Sequence, residues 1–374
     1  MVRLLLYNTH FVCRVNSGYH SNRYFTPSYS QVALAERMLE WEYHEKDVQA
    51  FHKNNTVTYF QKRWWVWNEE FSGNNSREDV VYTLNPVPVS AAWAVRDHPF
   101  YVTFLNIVFG EVYEQAVINT TVEELIFTGF EDPFLTWVQT NLIAENGTYH
   151  YILPFLDLPS GVSRFEKFGW FYERNNSAYY DGIFNMMTGV DDIRKVGKID
   201  WWNYTRETDF FDSPCNKVTG SAGDFFEPGL LRDKIDIYSS DLCMSLSAFY
   251  KEDVTRHDLK AYRFWGSNHT FANGTTVPGN ECYCVKRVCA PMGLLNVESC
   301  RMGSPAFASF PHFFNADPFL LDQVNGLSPE AEKHAFIMDI LPEAGIPINV
   351  EARIQINLRV KPYPGEGILH TGRI

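Results

Sequence analysis

Val350-Glu351-Ala352-Arg353-Ile354-Gln355-Ile356-Asn357-Leu358-Arg359-Val360 alternates apolar and polar side chains without a break over eleven residues, with Lys361 following on the polar side. Successive side chains of a strand point to opposite faces, so a strict period of two predicts a strand with one face buried and one face wet. A long strand of this kind, coming after many short β-like runs, favours an antiparallel sheet or barrel.

Working outward, Ser328-Pro329-Glu330 places Pro at a first helical position and predicts a short helix over 329–336. The β-branched and aromatic runs Thr56-Val57-Thr58-Tyr59-Phe60 and Trp64-Trp65-Val66-Trp67, bounded by Asn-rich turns, read as strands. Between about 150 and 260, short apolar runs broken by Pro, Gly and Asn read as mixed, mostly β structure. Residues 90–113 differ. Ala91, Ala92, Trp93, Val95, Phe100, Phe104, Leu105, Ile107, Val108 and Val112 recur at helical spacing, interrupted at Pro99, and predict a helical pair. Thr121-Val122-Glu123-Glu124 is a capping box leading into Leu125-Ile126-Phe127, and Gly129 and Asp132-Pro133 end that short helix. With neither an internal repeat nor a low-complexity linker, one domain is expected.

Six of the seven cysteines, Cys215, Cys243, Cys282, Cys284, Cys289 and Cys300, fall in one stretch. The chain also carries eight Asn-x-Ser/Thr sequons, at Asn54, Asn74, Asn119, Asn146, Asn175, Asn203, Asn268 and Asn273. Together these mark an oxidising secretory compartment, and glycans require that the sequons lie at the surface. A four-thiolate metal site is disfavoured, because Cys282 and Cys284 are one residue apart and would face opposite ways in an extended segment. Cys284 and Cys289 are close enough to close a small loop, but six cysteines allow fifteen connectivities. Cys13 is left over, an unpaired thiol or part of a segment outside the fold.

The formal net charge of −13 argues against a nucleic-acid partner, as does the lack of a Lys/Arg tract. Phe, Trp and Tyr supply 16% of residues, enough for a large core or an apolar cavity. No run of 18 apolar residues exists to span a bilayer. Met1-Val2-Arg3-Leu4-Leu5-Leu6-Tyr7 begins like a signal peptide, but Asn8, Thr9 and His10 interrupt it. A chain with so many lumenal marks yet no leader is expected to be incomplete at its start.

Val122-Glu123-Glu124-Leu125 and Gly129-Phe130-Glu131-Asp132-Pro133-Phe134-Leu135 resemble the class B scavenger receptor family. Further matches follow in order: Gly189-Val190-Asp191-Asp192, Ile199-Asp200-Trp201, Tyr238-Ser239-Ser240-Asp241-Leu242-Cys243, Gly293-Leu294-Leu295-Asn296-Val297, Ser309-Phe310-Pro311-His312-Phe313, Asn325-Gly326-Leu327 and Gln355-Ile356-Asn357-Leu358. The resemblance implies a single ectodomain over 41–361, flanked by a divergent segment 1–40 and a tail 362–374. It implies an α+β fold: an irregular antiparallel β-barrel core, a small apical helical bundle at about 90–135, and a hydrophobic tunnel. It also implies the pairings Cys215–Cys282, Cys243–Cys300 and Cys284–Cys289.

By the same resemblance the function expected is that of a glycosylated receptor at the plasma membrane or endolysosome. It would bind lipids or lipoproteins and pass lipid through the tunnel to the membrane, held there by anchors missing from this chain. The alternative is a sorting receptor carrying a lysosomal hydrolase on its apical helices. Phe100, Phe104, Val108, Phe109 and Glu111 are the candidate ligand entrance, although aromatics there equally fit bundle packing. From Arg96 to Glu124 one base faces five acids, a net of −4, which would repel polyanions and favours neutral lipids.

No cofactor and no metal is expected, nor is the chain read as an enzyme. The common serine hydrolase, zinc protease and P-loop signatures are all missing. Carboxylate pairs such as Glu69-Glu70 and Asp191-Asp192 read as solvated surface. His312, in an apolar setting, reads as a hydrogen-bonded core histidine rather than a proton switch, and His98 as a surface residue.

Overall fold

A computed structural model describes residues 2–7, 12–13, 39–68, 72, 74–142, 167–301, 303–322 and 326–360. The strands of the first part are β1 (Val2–Tyr7), β2 (Val12–Cys13), β3 (Leu39–Phe51), β4 (Thr56–Trp67) and β5 (Val80–Leu84). Helices α1 (Pro86–Val95) and α2 (Pro99–Glu111) follow, then β6 (Val117–Thr121), a π-helical turn at Glu124–Thr128, β7 (Phe130–Glu131) and α3 (Pro133–Leu142). The remainder comprises β8 (Lys167–Phe168), β9 (Ile183–Met187), β10 (Ile199–Trp202), β11 (Lys234–Ser239), β12 (Met244–Arg256), β13 (Leu259–Trp265), β14 (Leu295–Asn296) and β15 (Ala306–Ser309). Short helices α4 (Pro318–Leu321) and α5 (Ala331–His334) then lead into β16 (Ile337–Leu341) and β17 (Ile346–Val360).

The fold is α+β and mostly antiparallel. Among the described residues, thirteen strands form one sheet, whose main path runs β10-β9-β4-β3-β1-β17-β16-β13-β12-β11. The expected barrel does not close as a ladder, because β10 and β11 do not pair with each other. Both instead hydrogen-bond to an irregular segment between them: Ile199 N donates to Gly220 O (2.8 Å), Ser221 N to Asp236 O (2.9 Å) and Tyr238 N to Ser221 O (2.7 Å). Gly220 explains the irregularity. Its φ is +90°, and a Cβ there would lie 2.5 Å from the Asp236 carbonyl oxygen, so an ordinary strand residue does not fit.

The described parts of segment 1–40 join the sheet, and Cys13, read as an unpaired thiol or part of a segment outside the fold, lies in β2. Strand β1 lies between β3, antiparallel, and β17, parallel, and β2 pairs with the end of β17 at Val360↔Cys13. The helix expected over 329–336 is only Ala331–His334, since Glu330 is still extended at its N-cap.

The long strand is present, but its polar face is not wet. Arg353, Gln355 and Asn357 are buried, whereas Ala352, Ile354 and Ile356 are only partly so. With β17 central, both faces are covered, and the polar row survives by pairing. Gln355 accepts from His312 N (3.0 Å) and donates to Asn357 Oδ1 (2.7 Å); Asn357 donates to Ser309 Oγ (3.0 Å); Arg353 donates to Ala335 O (2.7 Å) and pairs with Glu351. His312 is a buried core residue whose Nδ1 accepts from Ser328 N (3.0 Å), and its ring stacks on His334 at 4.3 Å.

A second buried polar group ties β3 and β4 to the following loops. Arg63 bonds Asp181, Glu42 (3.1 Å) and Asp241 (3.0 Å), and Arg174 also engages Asp181 (2.9 Å) and Asp241. His44 sits beside it, 2.7 Å from Glu42 and 3.3 Å from Asp224. Burial opposes the imidazolium, but the bonds to Asp224 and Glu42 outweigh it and raise His44 to about 9.

Candidate ligand-binding surface

The three longer helices pack together, and the chain turns into them through short, explicit signals. Asn85 is the N-cap of α1, its Oδ1 accepting from Val87 N at 3.1 Å, with Pro86 in the first turn. Pro99 likewise stands in the first turn of α2, after exposed His98, whose side chain makes no cap hydrogen bond. The capping box is reciprocal: Glu124 N donates to Thr121 Oγ1 (3.2 Å) and Thr121 N to Glu124 Oε2 (3.1 Å). The turn it starts is π rather than α, and its Leu125, Ile126 and Phe127 are buried.

Helix α2 sorts the candidate entrance residues. Phe100 is 76% exposed and Glu111 is exposed, while Phe104 is half-buried and edge-on to Trp137 at 6.1 Å. Val108 and Phe109 are core residues, Phe109 standing edge-on to Phe134 at 5.1 Å, and they open onto no surface. The reason is helical phase: Val102, Leu105, Val108 and Phe109 share the inward face. Sequence reading missed Ile107, which is 64% exposed, and exposed Tyr113. The spacing of 100, 104 and 107 was the available signal, since it runs one outward stripe along the helix.

The expected net charge of −4 does not reach solvent intact. Glu123 pairs with Arg77 at 3.1 Å, Glu124 is occupied by its capping bonds, and Asp97 lies 3.6 Å from Arg96. Glu114 is buried. It accepts from Asn85 Nδ2 (2.9 Å), Gln115 N (3.1 Å) and Phe134 N (3.0 Å). Asp132, also buried, accepts from the same Asn85 amide (2.8 Å) and from Leu135 N (3.0 Å) at the start of α3. Burial, then the adjacent Asp132 carboxyl, raises Glu114 to about 7, and burial raises Asp132 as well. What the α2 surface does lack is base: no Lys or Arg occurs between Arg96 and Arg164.

Three disulfides join Cys215 to Cys282, Cys243 to Cys300 and Cys284 to Cys289. Asn54, Asn74, Asn119, Asn175, Asn203 and Asn268 are exposed, and Asn146 lies outside the described residues. Asn273 departs from the expectation that every sequon faces solvent. It is 4% exposed, its Nδ2 donates to Ala290 O (2.7 Å), and its Oδ1 accepts from Thr275 N (2.9 Å), leaving no room for a glycan. Among the described residues no group of His, Cys, Asp and Glu is placed to hold a metal ion, and no helix is long and apolar enough to cross a membrane.

A disulfide-stapled sheet with exposed sequons defines a protein of the oxidising, lumenal or extracellular class. The chain belongs to the CD36 family, whose model matches residues 41–371. It is 37% identical to protein peste of Drosophila melanogaster over 317 residues, covering 84% of this chain and 54% of that protein. It is 32% identical to scavenger receptor class B member 1 of Sus scrofa, covering 89% of this chain and 61% of that protein. Lysosome membrane protein 2 of Rattus norvegicus is 27% identical, with coverages of 92% and 68%. These are class B scavenger receptor family members, and the chain spans about half to two thirds of their length.

Proposed function

We propose that this chain is the lumenal or extracellular body of a membrane-anchored, scavenger-type receptor. It takes up hydrophobic lipid at the α2 surface and passes it through the interior to the membrane, without catalysis. The observation that carries this reading is the stripe of exposed Phe100 and Ile107 with half-buried Phe104 between them, in a stretch without base. Such a surface suits sterols, carotenoids or esters better than fatty-acid anions, which a Lys or Arg would have to neutralise. Burying about 16 methylenes at about 0.8 kcal/mol each offsets the cost of ordering an acyl chain. The names of the relatives support a receptor, through scavenger receptor class B member 1, and a lysosomal membrane setting, through lysosome membrane protein 2.

The test is mass spectrometry of lipid co-purified with the full-length protein, wild type against Phe104→Glu. Neutral lipid should be present in the first and reduced several-fold in the second. Tight binding of oleate or oxidised lipoprotein at physiological salt would sink the neutral-lipid preference. The second reading, a sorting receptor for a lysosomal hydrolase, is favoured by the exposure of Phe100 and Ile107. Recovery of a hydrolase with no lipid would reverse the order.

A further inference from the structure

Two carboxyl groups meet inside the helical cluster with no cation between them. Glu114 follows the end of α2 and Asp132 precedes α3; both bond the side-chain amide of Asn85, which caps α1. Glu114 Oε1 and Asp132 Oδ2 lie 2.9 and 2.8 Å from the same Asn85 Nδ2, so the two carboxyl groups crowd one donor. Two like charges this close in a buried site disfavour double ionisation, and a proton held by one of them relieves it. Both remain buried, and their other partners are the backbone N–H groups of Gln115, Phe134 and Leu135.

The charged groups on the surrounding elements are committed elsewhere or directed to solvent. Arg96, after α1, engages Asp97 and Glu298; Lys167 of β8 engages Glu131 of β7; Glu123 engages Arg77; Glu124 engages Thr120 and Thr121; and Glu111 of α2 is exposed. Strands β5 and β6 and helix α3 carry no charged residue. Nothing among the described residues therefore compensates a second negative charge at this point.

We infer that Glu114 and Asp132 share one proton, and that this proton locks the ends of α1, α2 and α3 together, so that the helical cluster tightens in acid and loosens as the medium becomes alkaline. The lock would be closed in an acidified compartment and strained at a neutral cell surface. The sign follows from linkage. A carboxyl raised from 4.5 to about 7 contributes stability that is complete below 4.5 and lost as pH rises through about 7. The inference does not depend on which ligand the α2 surface takes.

The experiment is hydrogen–deuterium exchange on the intact, oxidised, glycosylated protein, comparing peptides of α2 and α3 with a reference in β12. After correction for intrinsic rates, opening of α2 and α3 relative to β12 should be roughly tenfold or more slower at about pH 5 than at about pH 8. Glu114→Gln keeps the shape and replaces the shared proton with a fixed amide N–H, so the difference should vanish. A pH difference that persists in Glu114→Gln would overturn the inference. So would a wild-type protein whose α2 and α3 show no pH dependence beyond that of β12, a comparison that needs no variant to fold. Asp132→Asn is the second variant and should flatten the profile in the same way.

Discussion

At the residue scale, buried charge is expensive to unbalance. Arg63 faces Asp181, Glu42 and Asp241, so Arg63→Met would leave three carboxylates short of a cation; the expected cost is about 3–5 kcal/mol in denaturant unfolding. His44 adds a pH signature. Because it is raised from 6.5 to about 9, its contribution is complete below 6.5 and lost as pH rises through about 9; stability should decline across that window and His44→Gln should flatten the decline. At Asn273 the expectation is two-fold. Asn273→Gln should cost about 1–3 kcal/mol by leaving Ala290 O and Thr275 N without their partner, and should not change the mass of the secreted protein. Asn268→Gln should remove one glycan. The Asn-x-Thr pattern is the same at both positions, and only the folded surroundings, seventeen residues away at Ala290, separate them.

Elements were legible in the sequence where their signals are local. The capping box at Thr121 and Glu124 is such a case: donors and acceptors lie within four residues, and the bonds form as the pattern predicts. Removing it with Thr121→Ala should cost about 1 kcal/mol, measured by thermal unfolding. That the turn would be π rather than α was not legible, since no residue type marks a shift from four to five in hydrogen-bond spacing. Strand β17 shows the same limit. Its period of two was plain, but its central place depends on β1 and β15 as well as on its hairpin partner β16, and β1 comes from the far end of the chain. The α2 stripe was half legible. The residues were named, but helical phase placed Val108 and Phe109 inside and Ile107 outside.

At the scale of the whole molecule, Cys215–Cys282, with a separation of 67, encloses β11, β12 and β13, and Cys243–Cys300, with a separation of 57, encloses β12, β13 and β14. In the chain-entropy picture, losing Cys243–Cys300 through Cys243→Ala with Cys300→Ala should cost roughly 4 kcal/mol, read from the shift in the unfolding midpoint. The Cys284–Cys289 bridge, with a separation of 5, should cost roughly 2. Fold class was readable from the β-rich pattern, but the link between β10 and β11 was not, because it rests on a segment at Gly220 and Ser221 that has no strand signature. That segment makes the sheet mechanically uneven. A force pulling β10 away from β11 is carried through a few backbone hydrogen bonds at Gly220 and Ser221, whereas β3 and β4 share a long ladder. The sheet should therefore tear at this seam first. Cys215–Cys282 begins only a few residues before the seam, so it acts as a tether that limits how far the torn flap can travel.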